Sequence, residues 1–70
     1  MKADEIRALT DEKIQAQLDE TREELMNLRF QQSTGELLDT SRLREIKRLI
    51  ARLETILHER ELEAAVEGES

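Results

Sequence analysis

The feature that most constrains this chain is a pair of narrow apolar seams, one on each side of Gly35. Steps of alternately three and four residues keep each seam on a single face of an α-helix. The first seam is Ile14, Leu18, Thr21, Leu25 and Leu28, and the second is Leu43, Ile46, Ile50, Leu53 and Leu57. Two such helices joined by a short loop predict an all-α fold, an antiparallel two-helix hairpin. Two thin seams can also pair between chains, so an intermolecular coiled coil remains an alternative.

Residues with capping chemistry indicate where the helices begin and end. Thr10 is a candidate N-cap because its hydroxyl can accept a hydrogen bond from a free N–H of the next turn. Gly35 suits the left-handed position that follows a helix, where other residues are strained. The second long helix has three candidate caps, namely Asp39, Thr40 and Ser41.

These boundaries define one domain and a tail. We predict helices at about 3–9, 11–34 and 41–61, the first being a short additional N-terminal helix that carries Ile6 and Leu9. Residues 1–61 then form the helical hairpin domain, and residues 62–70 form an acidic, disordered tail. The predicted core consists of Leu25, Leu28, Ile46, Ile50 and Leu53.

The composition argues against catalysis and against a ligand pocket. The chain has no cysteine, and His58 is its single histidine, which is too few ligands for a zinc site. Phe30 is the only aromatic residue, whereas ligand pockets usually have apolar and aromatic walls. No motif places a nucleophile beside a base or forms a phosphate-binding glycine loop. We therefore expect no enzyme activity, no catalytic, metal-ligating or cofactor-binding residues, and no small-molecule substrate.

The sequence also lacks the signals of membrane insertion and secretion. No apolar run approaches the roughly 20 residues that a membrane span needs. The first residues, KADEIR after Met1, are not followed by the apolar segment of a signal peptide. We expect a cytoplasmic protein with no membrane partner.

A basic segment interrupts an otherwise acidic chain of net charge −6. Residues 42–52 carry five basic residues and one acid, Glu45. Arg44, Arg48 and Arg52 recur every four residues, on a stripe roughly opposite the apolar seam, with Lys47 to one side. Guanidinium groups a helical turn apart can each bind phosphate oxygens, so this stripe is a candidate RNA-binding surface, assisted by Arg29 from the first long helix. The alternative is an ordinary solvated helix face.

Four apolar residues lie outside the two seams and form a candidate surface for a protein partner: Met26, Phe30, Leu49 and Ile56. Leu49 and Ile56 can instead pack against Ile6 and Leu9 of the N-terminal helix. Phe30, with Met26 one turn before it, needs a cover, which is either the loop pair Leu37 and Leu38 or a partner.

Two blocks resemble a known family. Residues 24–37, ELMNLRFQQSTGEL, and residues 43–55, LREIKRLIARLET, are similar to the centre of bacterial large-subunit ribosomal protein number twenty-nine, the universal large-subunit protein twenty-nine family. KADEIR at residues 2–7 is similar to that family's short first helix, so the resemblance covers roughly residues 2–60. The sequence departs from the family pattern at Ser33, usually alanine, and at Glu36, usually glutamine. Because phosphates would repel a glutamate, Glu36 is not expected to face RNA.

The resemblance implies a helical hairpin and a structural role in the large ribosomal subunit of the cytoplasmic ribosome. Family members bind large-subunit ribosomal RNA near the polypeptide exit. They lie beside ribosomal protein number twenty-three, where trigger factor and signal recognition particle dock. A protein-only function, as a helical adaptor or a prefoldin-like coiled-coil module, remains the alternative.

Overall fold

The computed structural model describes residues 1–69, with side chains described for residues 1–66. Within these bounds the chain forms three α-helices and no strand: α1 at Ala3–Arg7, α2 at Asp11–Ser33 and α3 at Ser41–Glu69. The two long helices pack against each other, and α1 packs on α3. The molecule is elongated, with principal extents of 54 × 19 × 16 Å. The predicted all-α hairpin with a short N-terminal helix is confirmed.

The caps of the two long helices follow the predicted chemistry. The Lys13 backbone N–H donates to the Thr10 hydroxyl over 3.3 Å, which makes Thr10 the N-cap of α2. Gly35 has a φ of +78° just after α2 ends. Of the three candidate caps for α3, Asp39 supplies the side-chain contact, since its Oδ1 accepts from the Ser41 backbone N–H at 2.9 Å. Hydrogen bonds from Ser41 lower the pKa of the Asp39 carboxyl, and nearby Arg44 lowers that pKa further.

The core lies closer to the N-terminal half of α2 than the sequence predicted. Its main cluster contains residues from all three helices: Ile6, Ile14, Leu18, Leu53 and Ile56. Ile46 and Leu53 are buried as expected, but Leu25, Leu28 and Ile50 are only partly buried. The predicted core drew only on the two long helices. The short α1 adds a third apolar surface near the start of α2, and burial is deepest there.

The position of α1 also corrects the interpretation of Leu49 and Ile56 as a partner surface. Ile56 is 3% exposed in the main cluster, and the partly buried Leu49 packs against that cluster. Ala3 and Leu9 pack against the same cluster, which also contains Ile6. The flanking apolar pair on α3 therefore serves the fold by holding α1.

The buried Thr21 is compatible with an apolar seam because its hydroxyl is satisfied locally. Its Oγ1 donates to the Gln17 carbonyl oxygen one turn earlier, at 2.6 Å. Among the described side chains, no buried polar atom lacks a hydrogen-bond partner. The seam therefore accepts a threonine without an unsatisfied group.

The end of α3 differs from the prediction, which ended the helix at about residue 61. The helix continues to Glu69, and its Leu62 and Val66 are exposed and lie beyond the buried core. Leucine, alanine and glutamate all favour helix, and extending a helix that is already packed avoids the unfavourable nucleation step. Loss of the apolar period marks the end of packing and not the end of the helix. Ser70, the last residue of the predicted tail, lies outside the described residues.

Candidate nucleic-acid interface

Ion pairs between elements use four of the arginines. Arg42 binds Glu24 with Nε–Oε1 at 2.8 Å and Nη2–Oε2 at 3.1 Å, a two-pronged contact between α3 and α2. The other pairs that join different elements are Arg22–Glu54, Arg7–Glu59 and Arg60–Asp11. The start of α2 thus faces the C-terminal part of α3, as an antiparallel hairpin requires. The charges of these arginines are locally compensated by carboxylates.

The predicted RNA-binding residues have a different environment. Arg29, Arg44, Lys47, Arg48 and Arg52 are all exposed. No carboxylate of the described part of the chain lies within 4.0 Å of any of their charged groups, in contrast to the four paired arginines. Side chains that are exposed and form no close ion pair are available to bind an external anion.

Three of these residues lie together along α3. Arg44 and Arg48 line a shallow groove with Ser41 and Glu45. Arg48 and Arg52 line the next groove, of about 240 Å³, together with Met1, Arg42 and Glu45. Arg44, Arg48 and Arg52 therefore form a continuous basic stripe. Lys47 lines neither groove, and no contact joins Arg29 of α2 to the stripe.

Arg52 has an intramolecular contact that the sequence did not predict. Its Nη1 donates a hydrogen bond to the Met1 carbonyl oxygen over 2.9 Å. A guanidinium has five N–H donors, so Arg52 can still bind a phosphate. Only a weak signal in the sequence pointed to this contact, namely the possible packing of Ile6 against Leu49 and Ile56, which brings the start of the chain to α3.

An apolar surface remains uncovered near the hairpin loop. Met26 and Phe30, one turn apart on α2, are 68% and 67% exposed. The loop pair does not provide the cover that the sequence left open: Leu38 is 97% exposed, and although Leu37 is partly buried, Met26 and Phe30 remain about two-thirds exposed. The Met26–Phe30 surface is therefore available to a partner.

The described residues offer neither a metal-ion site nor a membrane-spanning helix. No group of three histidine, cysteine or acidic residues there is arranged to hold a metal ion. No helix there combines the length and apolar character needed to cross a membrane.

Comparison with known proteins shows the family. The family model described as "Ribosomal L29 protein" matches residues 4–60. The chain belongs to this family. It is 53% identical over 62 residues to large ribosomal subunit protein uL29 of Natranaerobius thermophilus, an alignment that covers 89% of this chain and 95% of that protein. The uL29 proteins of Staphylococcus aureus strain JH9 and Staphylococcus carnosus are each 52% identical over 63 residues, covering 90% of this chain and 91% of theirs.

Membership decides between the two classes of function that the sequence left open. A ribosomal L29 protein is a structural constituent of the large ribosomal subunit and not an enzyme. Its place is the cytoplasmic ribosome, in association with ribosomal RNA and other ribosomal proteins. The protein-only adaptor is thereby set aside.

Proposed function

We propose that this protein binds large-subunit ribosomal RNA near the polypeptide exit, with the basic face of α3 against the RNA backbone. Arg44, Lys47, Arg48 and Arg52 contact phosphates, and Arg29 assists from α2. The observation that carries the proposal is the contrast between two groups of arginines. Those between the helices are paired with carboxylates, whereas the basic stripe is exposed and unpaired.

The net charge of −6 does not prevent this binding. At about 1.5 Å per residue, Glu61 lies roughly 13 Å along α3 from Arg52 and roughly 26 Å from Arg44. The Debye length at physiological salt is about 8 Å, so acids at that end of α3 are largely screened from the stripe. An arginine in contact with a phosphate is screened much less.

The Met26–Phe30 surface is the part of the protein that we assign to a protein neighbour. At the polypeptide exit the expected neighbour is ribosomal protein number twenty-three, with trigger factor and signal recognition particle as transient partners. Phe30 is large, apolar and exposed, and residues of that kind anchor protein interfaces. Phe30 lies on α2, whereas the basic stripe lies on α3.

The absence of cysteine makes a directed cleavage experiment unambiguous. Ala51 is exposed among the stripe residues of α3. The variant Ala51→Cys has a single cysteine, to which a hydroxyl-radical source is tethered before the protein is assembled into the large subunit. The matched control carries the same source at Glu23, an exposed position on α2 that faces away from the hairpin seam. Both variants are first tested for normal incorporation.

The proposal predicts strong cleavage of large-subunit RNA from Ala51→Cys, at nucleotides around the polypeptide exit, and weak cleavage from Glu23→Cys. Cleavage that is stronger from residue 23, or that maps far from the exit, would contradict it. Absence of cleavage from both positions in an incorporated protein would contradict RNA contact by α3 altogether.

A further inference from the structure

The start of the chain is fixed beside the basic stripe by two kinds of contact. Ile6 is fully buried in the main cluster and Ala3 packs against that cluster, which anchors α1 on α3. The hydrogen bond from Arg52 Nη1 to the Met1 carbonyl then holds the residue before Lys2 against α3. Met1 lines the same groove as Arg48 and Arg52, which Arg42 and Glu45 also line.

Lys2 follows Met1 directly, and its ammonium group forms no ion pair with the described residues. It is exposed, it occupies the N-cap position of α1 without a side-chain capping bond, and no described carboxylate lies within 4.0 Å of it. Its ammonium group, on a flexible four-carbon stem, has three rotatable donors and needs no fixed orientation to bind a phosphate.

We propose that Lys2 is a further phosphate-contacting residue of the RNA interface and that Arg52 is the positioning residue that keeps it beside the stripe. This inference rests on the function proposed above. It gives α1 a second role: besides covering the core, the helix fixes a cation at the edge of the groove. The RNA surface then has contributions from the chain start and from α3.

Two acids of α1 follow Lys2, and their placement limits their effect. Asp4 and Glu5 are exposed, while Ala3 and Ile6 face the core, so the acids project from the outer side of α1. Asp4 lies 4.0 Å from Arg7, which partly compensates its charge. Glu45, which also lines the groove, lies 3.3 Å from Arg42, so its charge is partly compensated as well.

The test is the salt dependence of binding to large-subunit ribosomal RNA freed of protein. Wild type is compared with Lys2→Gln and with a matched control, Lys13→Gln, which removes another exposed lysine that has no carboxylate within 4.0 Å among the described residues. The Thr10 cap survives in the control because it uses the Lys13 backbone N–H. Thermal melts by circular dichroism establish that the variants fold.

We expect Lys2→Gln to make the negative slope of log K against log salt shallower by about 0.9 if the phosphate belongs to a duplex, or by about 0.7 if it belongs to a single strand. Lys13→Gln should leave the slope unchanged. A Lys2→Gln slope equal to that of wild type would overturn the contact. Wild-type binding without salt dependence would overturn the proposed function and this inference together.

A double-variant comparison tests the positioning role of Arg52. If Arg52 holds the chain start in place, Lys2→Gln should change the slope clearly less in an Arg52→Gln background than in wild type. If the effects of the two substitutions on the slope simply add, Arg52 does not position Lys2.

Discussion

Arg42 and Glu24 form a two-pronged ion pair between α3 and α2, with both nitrogen–oxygen distances at 3.1 Å or less. The hydrogen bonds to Glu24, its negative charge and a contact with Glu45 raise the pKa of Arg42. Arg42 is the first residue of the basic segment at residues 42–52, yet its charge is paired with a carboxylate of α2. Arg44 follows it after one intervening residue and Arg48 lies farther along α3, and the charges of both have no such partner. The difference between neighbours in one segment makes the RNA-binding proposal testable.

Ile56 should be more important for stability than its place outside the predicted seam suggests. It is 3% exposed in the cluster that joins α1 to the hairpin, so Ile56→Ala should lower the free energy of unfolding by about 2–5 kcal/mol. Urea denaturation followed by circular dichroism measures the change. Leu38→Ala, at a loop position that is 97% exposed, is the control and should change little. Equal stabilities of Ile56→Ala and wild type would show that α1 does not pack there.

Gly35 should resist replacement for a conformational reason alone. Its φ is +78°, but a Cβ added there would meet no heavy atom within 4 Å. Gly35→Ala should therefore lower stability by about 1–2 kcal/mol through backbone strain without a clash. Gly35→Asn should lose less, because asparagine tolerates the left-handed region better. An alanine variant as stable as wild type would rule out the left-handed turn.

The Asp39 cap should make the start of α3 sensitive to acid. Because folding lowers the pKa of Asp39, this carboxyl contributes its full stabilisation above its unfolded pKa of about 3.9. The contribution is lost as the pH falls through the lower folded value. The difference in melting temperature between wild type and Asp39→Ala should be constant from about pH 7 to pH 5 and should shrink below about pH 4. A difference that persists unchanged to pH 2 would exclude this cap.

Features that depend on local chemistry could be predicted from the sequence. Thr10 and Gly35 each act within a few residues of their own position, and the α2 boundaries that follow from them agree with the structure to within one residue. The depth of burial could not be predicted in the same way. Whether Ile50 or Ile56 is fully buried depends on where α1 lies, and that is set by packing between distant parts of the chain.

In the candidate site, too, the sequence predicted the features set by the helical period but not those set by contacts between helices. The helical period places Arg44, Arg48 and Arg52 on one face, and the grooves that join them agree with it. The period could not indicate that Arg42 is paired with Glu24, or that Arg52 reaches Met1 across 51 residues. Those contacts depend on how the three helices assemble.

The most direct test of the account compares two substitutions that remove the same charge from the same helix. Arg48→Gln removes an unpaired stripe residue, while Arg42→Gln removes the residue paired with Glu24. The measurement is the slope of log K against log salt for binding to large-subunit ribosomal RNA. If Arg48 contacts one duplex phosphate, its loss should make the negative slope shallower by about 0.9, and Arg42→Gln should keep the wild-type slope. A wild-type slope for Arg48→Gln, or equal losses for both variants, would contradict the basic-stripe mechanism.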